Sequence, residues 1–185
     1  MQLMKYAGEN GVAAYGVMMY VSMIFSAAFM GYSIGSAPII GYHYGAKNHT
    51  ELKGLLRQSM IMLSIFGIGM VALAELFAVP LAHIFVGYDA KLKNLTVSGF
   101  RIFALSFVFM GFGIFISSFF TALNDGVTSA IISFLRTLVF QAAAILFLPL
   151  LLGIDGIWFS ILIAEFMAVI FGVIFLFAKQ KKYNY

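Results

Sequence analysis

The segment from Gly11 to Tyr44 restricts the possible folds most, because it contains no Asp, Glu, Lys or Arg. As a helix it would extend about 50 Å at about 1.5 Å per residue, whereas the hydrocarbon core of a bilayer is about 30 Å thick. The sequence therefore predicts a membrane helix that tilts, bends or protrudes. We expect the bend at Gly35 and Pro38, because proline removes a backbone donor and glycine leaves a gap.

The composition excludes a water-soluble fold. Hydrophobic residues make up 63% of the chain and charged residues 10%, and the mean hydropathy is +1.02. Apolar runs of about 20 residues recur and alternating segments of about ten residues are absent, so helices rather than barrel strands must satisfy the backbone. We predict an all-α, polytopic helix bundle that forms a single membrane domain over residues 1–185, with the lipid bilayer of the cell membrane as its partner.

Several classes of function are disfavoured by the same composition. The net charge of +4 is spread over loops and the tail, which fits membrane orientation better than nucleic-acid binding. The absence of cysteine excludes disulfides and thiolate metal sites. The predicted spans contain no His-rich cluster, catalytic Asp pair or Ser/His arrangement, so we predict neither a metal site nor an enzyme.

Five spans are predicted from the apolar runs and the turn signals between them. They cover about 11–44, 51–79, 96–123, 127–152 and 157–178. Residues 1–10 are polar enough for a loop, and Thr50 is a candidate N-cap of the second helix. Pro80 is expected to stop that helix, which leaves 81–88 as a surface segment.

The basic residues assign the two ends of the bundle to opposite sides of the membrane. With five spans, one side carries Lys47, Lys53, Arg57, Lys179, Lys181 and Lys182, and the other carries Lys5, Lys91 and Lys93. Cytoplasmic segments of membrane proteins have an excess of Lys and Arg. The C-terminus is therefore predicted to be cytoplasmic.

Arg136 and Glu165 are the ionisable residues deepest within the predicted spans. Counted from the turns at Gly126 and Gly156, they lie about 15 Å and about 13 Å into consecutive antiparallel helices. Either charge alone would be costly at that depth, so opposite charges at one level predict an ion pair. We interpret the pair as a structural clasp, because a satisfied pair is poorly placed to exchange protons; a functional proton site is the alternative.

An ordered set of motifs resembles one transporter family. The long first helix ends in Gly-Tyr-His-Tyr-Gly-Ala-Lys-Asn at 41–48, and Ala-Leu-Asn-Asp-Gly at 122–126, Gly-Ile-Asp-Gly-Ile-Trp at 153–158 and Ala-Glu at 164–165 follow. Over about residues 5–178 this order resembles the C-terminal lobe of multidrug and toxic compound extrusion (MATE) transporters. The resemblance implies one of two six-helix lobes of an antiporter that exports hydrophobic, often cationic compounds by alternating access, in exchange for Na⁺ or H⁺.

The sequence departs from the family pattern in two places. The residues before Gly11 resemble only the exit of the lobe's first helix, so we expect helices eight to twelve, with the missing N-terminal lobe or another copy of the chain as a partner. Residues 104–112, which correspond to the middle of the tenth helix, are uncharged, whereas some Na⁺-coupled members carry a carboxylate there. We therefore expect the coupling carboxylate in the N-terminal lobe.

Tyr32, Ser33, Ser36 and Gln141 are the candidate polar lining of a cavity for hydrophobic small molecules. The 21 Phe and 11 Met residues supply the aromatic and polarizable groups that such a cavity needs. Two alternatives stay open. A lipid-linked oligosaccharide flippase of the same superfamily would need a more cationic cavity than Arg136 alone provides, and a non-transporting remnant or assembly subunit would fit the missing helix.

Overall fold

Helices make up nearly all of the computed structural model, which describes residues 2–185. The elements are α1 (Gln2–Gly45), α2 (His49–Val86), α3 (Ala90–Ala104), α4 (Phe107–Ala122), α5 (Gly126–Phe134), a π-helical turn (Leu135–Phe140), α6 (Gln141–Leu152) and α7 (Ile154–Tyr183). No strand occurs among these described residues, which confirms the all-α prediction.

The membrane spans follow from the lengths and apolar character of these helices. α1, α2, the continuous stretch from α5 to α6, and α7 are each long and apolar enough to cross a bilayer. α3 and α4 meet at a 47° bend, and the number of spans is five when this bent pair counts as one broken span. The bend lies at Leu105 and Ser106, where hydrogen bonds to residues three positions back replace the regular helical pattern.

The prediction of a loop at residues 1–10 is wrong for the part that the structure describes; Met1 lies outside the described residues. Helix begins at Gln2 and is interrupted only at Gly8, which has φ 58° and ψ −150°. Leu3 and Tyr6 are partly buried against the core, and this packing stabilises a helical turn that polar composition alone disfavours. Beyond Gly8, α1 stays helical through Pro38.

Two predictions about α2 are wrong. Asn48, not Thr50, caps the helix, and its side-chain oxygen accepts a 3.3 Å hydrogen bond from the Glu51 backbone N–H. α2 also continues through Pro80 to Val86. Every fourth residue from Ala74 to Val86 is buried, and this face packs on α3. The packing of two further helical turns outweighs the missing proline hydrogen bond, which costs about 3 kcal/mol.

Tight turns bring the later helices side by side. Asn124 has a φ of 60°, and the Asp125 side chain caps α5, so α5 returns along α4. Gly153 has a φ of 60° between α6 and α7. A Cβ atom at Gly156 would overlap the backbone carbonyl of Leu148, so only glycine allows the two helices to pack this closely.

The core is aromatic and centres on α4. Its largest fully buried side chains include Trp158, Phe29, Phe103, Phe107, Phe115, Phe119 and Phe120. Many other large apolar side chains point outward. Such an apolar outer surface is expected for a helix bundle that lies in a bilayer.

Candidate functional site

An ion pair between Arg136 and Glu165 lies inside the bundle. The Arg136 Nε donates to Glu165 Oε2 at 2.8 Å and its Nη2 donates to Oε1 at 2.9 Å, so the contact is bidentate. The two side chains are 17% and 11% exposed. Paired hydrogen bonds of this kind fix the relative position of two helices as well as neutralising both charges.

The backbone around Arg136 departs from a regular α-helix. Arg136 is the second residue of the π-helical turn Leu135–Phe140, a rare geometry that recurs at functional sites. Across from it, α4 presents Gly113, where a Cβ atom would lie 3.0 Å from Arg136 Cδ and Nε and 3.4 Å from Glu165 Oε2. The glycine therefore leaves the space that the guanidinium and carboxylate occupy.

A ladder of hydroxyl groups leads along α4 and α5 toward this pair. Ser117 Oγ lies 2.9 Å from Ser129 Oγ and 2.7 Å from Ser133 Oγ. Thr121 Oγ1 donates to Ser129 Oγ at 2.7 Å, and Thr137 Oγ1 donates to the Ser133 carbonyl at 2.7 Å. Serine and threonine hydroxyls commonly join helices in this way within membranes.

Sequence reasoning missed the hydroxyl ladder, although its signal was present. Gly113, Ser117 and Thr121 recur every four residues on α4, and Ser129 and Ser133 do so on α5, continued by Thr137. Residues four apart lie on one helix face. A search for small polar residues at this spacing would have found both halves of the ladder.

A groove of about 300 Å³ lies between α1 and α2. It is lined by Gly31, Tyr32, Gly35, Ser36, Ile39, Ile40, Leu55, Gln58, Ser59 and Met62. The Tyr32 hydroxyl crosses the groove and donates to Ser59 Oγ at 2.9 Å. Aromatic, thioether and hydroxyl groups in one apolar groove suit a hydrophobic molecule that carries a few polar atoms.

The structure divides the four candidate cavity residues. Tyr32 and Ser36 line the α1–α2 groove together, and Gly35 lies between them. Ser33 belongs to the α1–α4 interface instead: it is 2% exposed, and its carbonyl accepts a 3.2 Å hydrogen bond from Ser118 Oγ. Gln141 begins α6 directly after the π-helical turn and is not part of the groove lining.

Asp125 is the centre of a second polar cluster, at the end of the bundle where α4 meets α5. Its Oδ2 accepts hydrogen bonds from Lys179 Nζ at 2.9 Å, Tyr183 at 2.6 Å and Thr128 Oγ1 at 2.8 Å. Burial of the carboxyl raises its pKa, but the hydrogen bonds from Tyr183, Lys179 and Thr128 outweigh burial and hold the pKa well below its ordinary value. The charged Asp125 thus ties the end of α7 to the α4–α5 turn.

The basic residues that were assigned to one side of the membrane do lie at one end of the bundle. Lys47, Lys182 and His49 line one cavity there, and Lys53 and Lys181 line the next. Another ion pair, Glu75 with Arg101, links α2 and α3 at 3.3 Å, with side chains 41% and 53% exposed. Among residues 2–185, no group of three or more His, Asp and Glu could hold a metal ion.

A bundle of membrane-length apolar helices that holds an ion pair in its interior has the architecture of a polytopic membrane transport protein. The chain belongs to the MatE family, whose sequence model matches residues 1–147. A search of curated protein sequences gave no match.

Solved transporter structures resemble the fold over almost its whole length. An outward-facing multidrug resistance MATE family transporter of the MOP superfamily is 25% identical, with a TM-score of 0.91 over 98% of this chain. An inward-facing structure of the same description gives 25% identity and a TM-score of 0.91 over 98%. The Vibrio cholerae MATE transporter VcmN in the bent form is 21% identical, with a TM-score of 0.90 over 98%, and shows the fold alone.

The chain spans less than half of these transporters. It covers 41% of the outward-facing chain, 42% of the inward-facing chain and 41% of VcmN. The fold is therefore that of one lobe of a MATE transporter.

Proposed function

We propose that this chain forms most of the C-terminal lobe of a multidrug antiporter, which exports hydrophobic, often cationic compounds by alternating access in exchange for Na⁺ or H⁺. The observation that carries the proposal is the equal similarity, at a TM-score of 0.91, to an outward-facing and an inward-facing structure. A lobe that fits both states is one that moves as a rigid body against its partner lobe, as repeat-based transporters do.

The α1–α2 groove is our proposed contact surface for the exported compound. Tyr32 offers an aromatic face, which attracts organic cations, and Ser36 and Gln58 offer hydrogen-bonding groups. Within residues 2–185, no Asp or Glu lines this groove, so recognition would depend on apolar, aromatic and dipolar contacts. Such contacts tolerate many ligands, as a multidrug site requires.

The coupling ion is proposed to bind a carboxylate in the partner lobe. Glu165 already accepts two hydrogen bonds from Arg136, and Asp125 is held by Lys179 and Tyr183. A carboxylate neutralised by a bidentate partner releases or takes up a proton only at the cost of breaking the pair. This supports a structural role for the pair, with coupling elsewhere.

The groove can be tested by drug binding to the purified chain in detergent. We expect Gly35→Leu to weaken the binding of a fluorescent hydrophobic cation such as ethidium at least tenfold, because the new side chain fills the groove. The matched control is Gly69→Leu, since Gly69 is also a helical glycine with open space around it but lies outside the groove. Equal affinity of both variants would contradict the proposed site.

Membrane orientation can be tested separately. We propose that the end carrying Lys53 and Lys181 faces the cytoplasm, as its basic residues favour. The chain has no cysteine, so Lys181→Cys introduces a unique thiol, and a membrane-impermeant maleimide should label it only after cells are permeabilised. Asn94→Cys at the other end should react in intact cells, and the reverse pattern would overturn the assignment.

A further inference from the structure

A second groove, of about 510 Å³, opens between the end of α7 and the beginning of α2. It is lined by Lys53, Leu56, Arg57, Met60, Val173, Leu176, Phe177, Gln180 and Tyr185. α2 and α7 make few direct contacts with each other, so the groove is a gap between two spans. It shares no residue with the α1–α2 groove.

Both helices present one continuous face to this groove. The α2 residues recur at i, i+3, i+4 and i+7 from Lys53, and the α7 residues do so from Val173, which is the spacing of a single helix face. The helices are antiparallel, so Lys53 lies level with Gln180 and Met60 lies level with Val173. The lining of the groove therefore changes from polar and basic at its mouth to apolar in its interior.

The C-terminal residues form one wall of the groove. Asn184 adopts a left-handed conformation with φ 55°, which turns Tyr185 back along α7, where its hydroxyl donates to the Leu176 carbonyl at 2.9 Å. The ring of Tyr185 also packs against Phe119 with ring centroids 5.1 Å apart. The wall is thus anchored to the core of the bundle.

The mouth of the groove is positively charged. A second cavity of about 540 Å³ adjoins it, shares Lys53, Gln180 and Tyr185 with it, and adds His49 and Lys181. Among the described residues, Lys53, Arg57 and Lys181 form no ion pair. No Asp or Glu side chain from the described part of the chain lines either cavity.

We propose that this groove binds an anionic phospholipid, with one acyl chain between α2 and α7 and the phosphate at Lys53 and Arg57. A ligand with an anionic head and an apolar tail matches both ends of the groove, and basic pockets between spans bind such headgroups. An exported cation is disfavoured there because the mouth is basic. From Lys53 to Met60 the groove extends about 10 Å at about 1.5 Å per residue, which accommodates roughly eight methylene groups of a chain.

The test is native mass spectrometry of the purified chain in detergent, titrated with phosphatidylglycerol and, in parallel, with phosphatidylcholine of the same acyl chains. Each basic residue near an anionic lipid contributes about fivefold in affinity. We therefore expect the double variant Lys53→Gln/Arg57→Gln to bind phosphatidylglycerol about 25-fold more weakly. Its affinity for phosphatidylcholine should change less than threefold.

The control for charge is Lys91→Gln/Lys93→Gln, which removes the same net charge at the opposite end of the bundle and should leave lipid binding unchanged. The apolar half is tested by Phe177→Gln, which should weaken phosphatidylglycerol binding roughly fivefold or more because it removes an apolar contact. Its control is Phe147→Gln, since these two side chains are 73% and 67% exposed and only Phe177 lines the groove.

Four outcomes would overturn the proposal. Equal affinity for the two lipids would show no recognition of the anionic head. Full displacement of phosphatidylglycerol by glycerol 3-phosphate would reduce the groove to a phosphate site. An equal effect of Phe177→Gln and Phe147→Gln would remove the acyl-chain contact. A dimer that binds no lipid, and that is absent in Lys53→Gln/Arg57→Gln, would show that the groove is an interface between two copies of the chain.

Discussion

Removing one member of the Arg136–Glu165 pair should destabilise the bundle far more than removing both. The two side chains are 17% and 11% exposed and satisfy each other through two hydrogen bonds of 2.8 and 2.9 Å. Either Glu165→Gln or Arg136→Met leaves its partner as an uncompensated charge. Breaking a buried pair in this way costs about 3–5 kcal/mol of unfolding free energy.

The double variant should recover most of that loss, because no charge is then left unpaired. Replacing both members of a buried pair by well-packed hydrophobic side chains of similar volume is often neutral or even stabilising, whereas the amide that Glu165→Gln introduces loses its hydrogen-bond partner in the double variant and retains a small cost. We therefore expect Arg136→Met/Glu165→Gln to lie within about 1–2 kcal/mol of the parent protein, a coupling energy of several kcal/mol in the double-mutant cycle.

Trp158 supplies the assay. It is the single tryptophan of the chain and is 1% exposed, so its fluorescence reports unfolding in detergent without an added dye. For a chain of this size, a loss of 1 kcal/mol lowers Tm by about 2–4 °C. The single variants should therefore unfold roughly 6–20 °C below the parent.

The exposed pair of Glu75 and Arg101 is a matched control of the same residue types. Its side chains are 41% and 53% exposed and 3.3 Å apart, so its coupling energy should stay below about 1 kcal/mol. If the two single losses at Arg136 and Glu165 simply add, or if their cycle gives no more than the control cycle, the reasoning from burial is refuted. Glu165 would then regain its standing as a lone protonatable site.

Three further predictions concern transport, bending and pH. The 185-residue chain alone should give no ion-driven dye efflux from proteoliposomes, because alternating access needs a second lobe; efflux by a verified monomer would contradict this. In the whole transporter, Pro38→Ala should slow turnover more than it weakens drug binding. Dissociation constants and initial efflux rates test this, and a large loss of affinity with normal efflux would contradict it. Folding lowers the pKa of the Asp125 carboxyl from its ordinary value of 3.8, so the ionised carboxylate stabilises the fold at pH values above 3.8. This stabilisation is lost as the pH falls below 3.8 toward the pKa of the folded state. Asp125→Asn should therefore lower Tm at pH 7 and flatten the fall in Tm between about pH 5 and pH 3, whereas Asp155→Asn at an exposed position should do neither.

Several features could be predicted from the sequence because they depend on local properties. The number of spans follows from the lengths of the apolar runs, which have to match the thickness of a bilayer. The constant rise of a helix also placed Arg136 and Glu165 at one depth, and the structure brings their side chains into contact. Turn residues such as Asn124 and Gly153 marked where the chain reverses, because few residues adopt their positive φ angles.

Predictions that ignored neighbouring helices were wrong. Pro80 does not end α2, since packing against α3 extends the helix to Val86. The cavity role of Ser33 and Ser36 stays a prediction, but the structure separates the two residues: Ser33 is 2% exposed and its backbone carbonyl accepts a hydrogen bond from Ser118 of α4, whereas Ser36 lines the α1–α2 groove. Which neighbour a residue contacts depends on where the other helices lie around it, and a single segment of sequence does not contain that information.

The sequence by itself determined that this protein is an all-helical membrane bundle, where its long apolar segments lie and which of its charges lie deep, because hydrophobic length and helical rise are properties of single segments. The tertiary structure alone decided the π-helical turn at Arg136, the hydroxyl ladder between α4 and α5, and the return of Tyr185 onto α7. Arg136 in the turn contacts Glu165 of α7, the ladder joins α4 to α5, and Tyr185 packs on Phe119 of α4. All three features therefore depend on how the helices pack and where one helix leaves room for another.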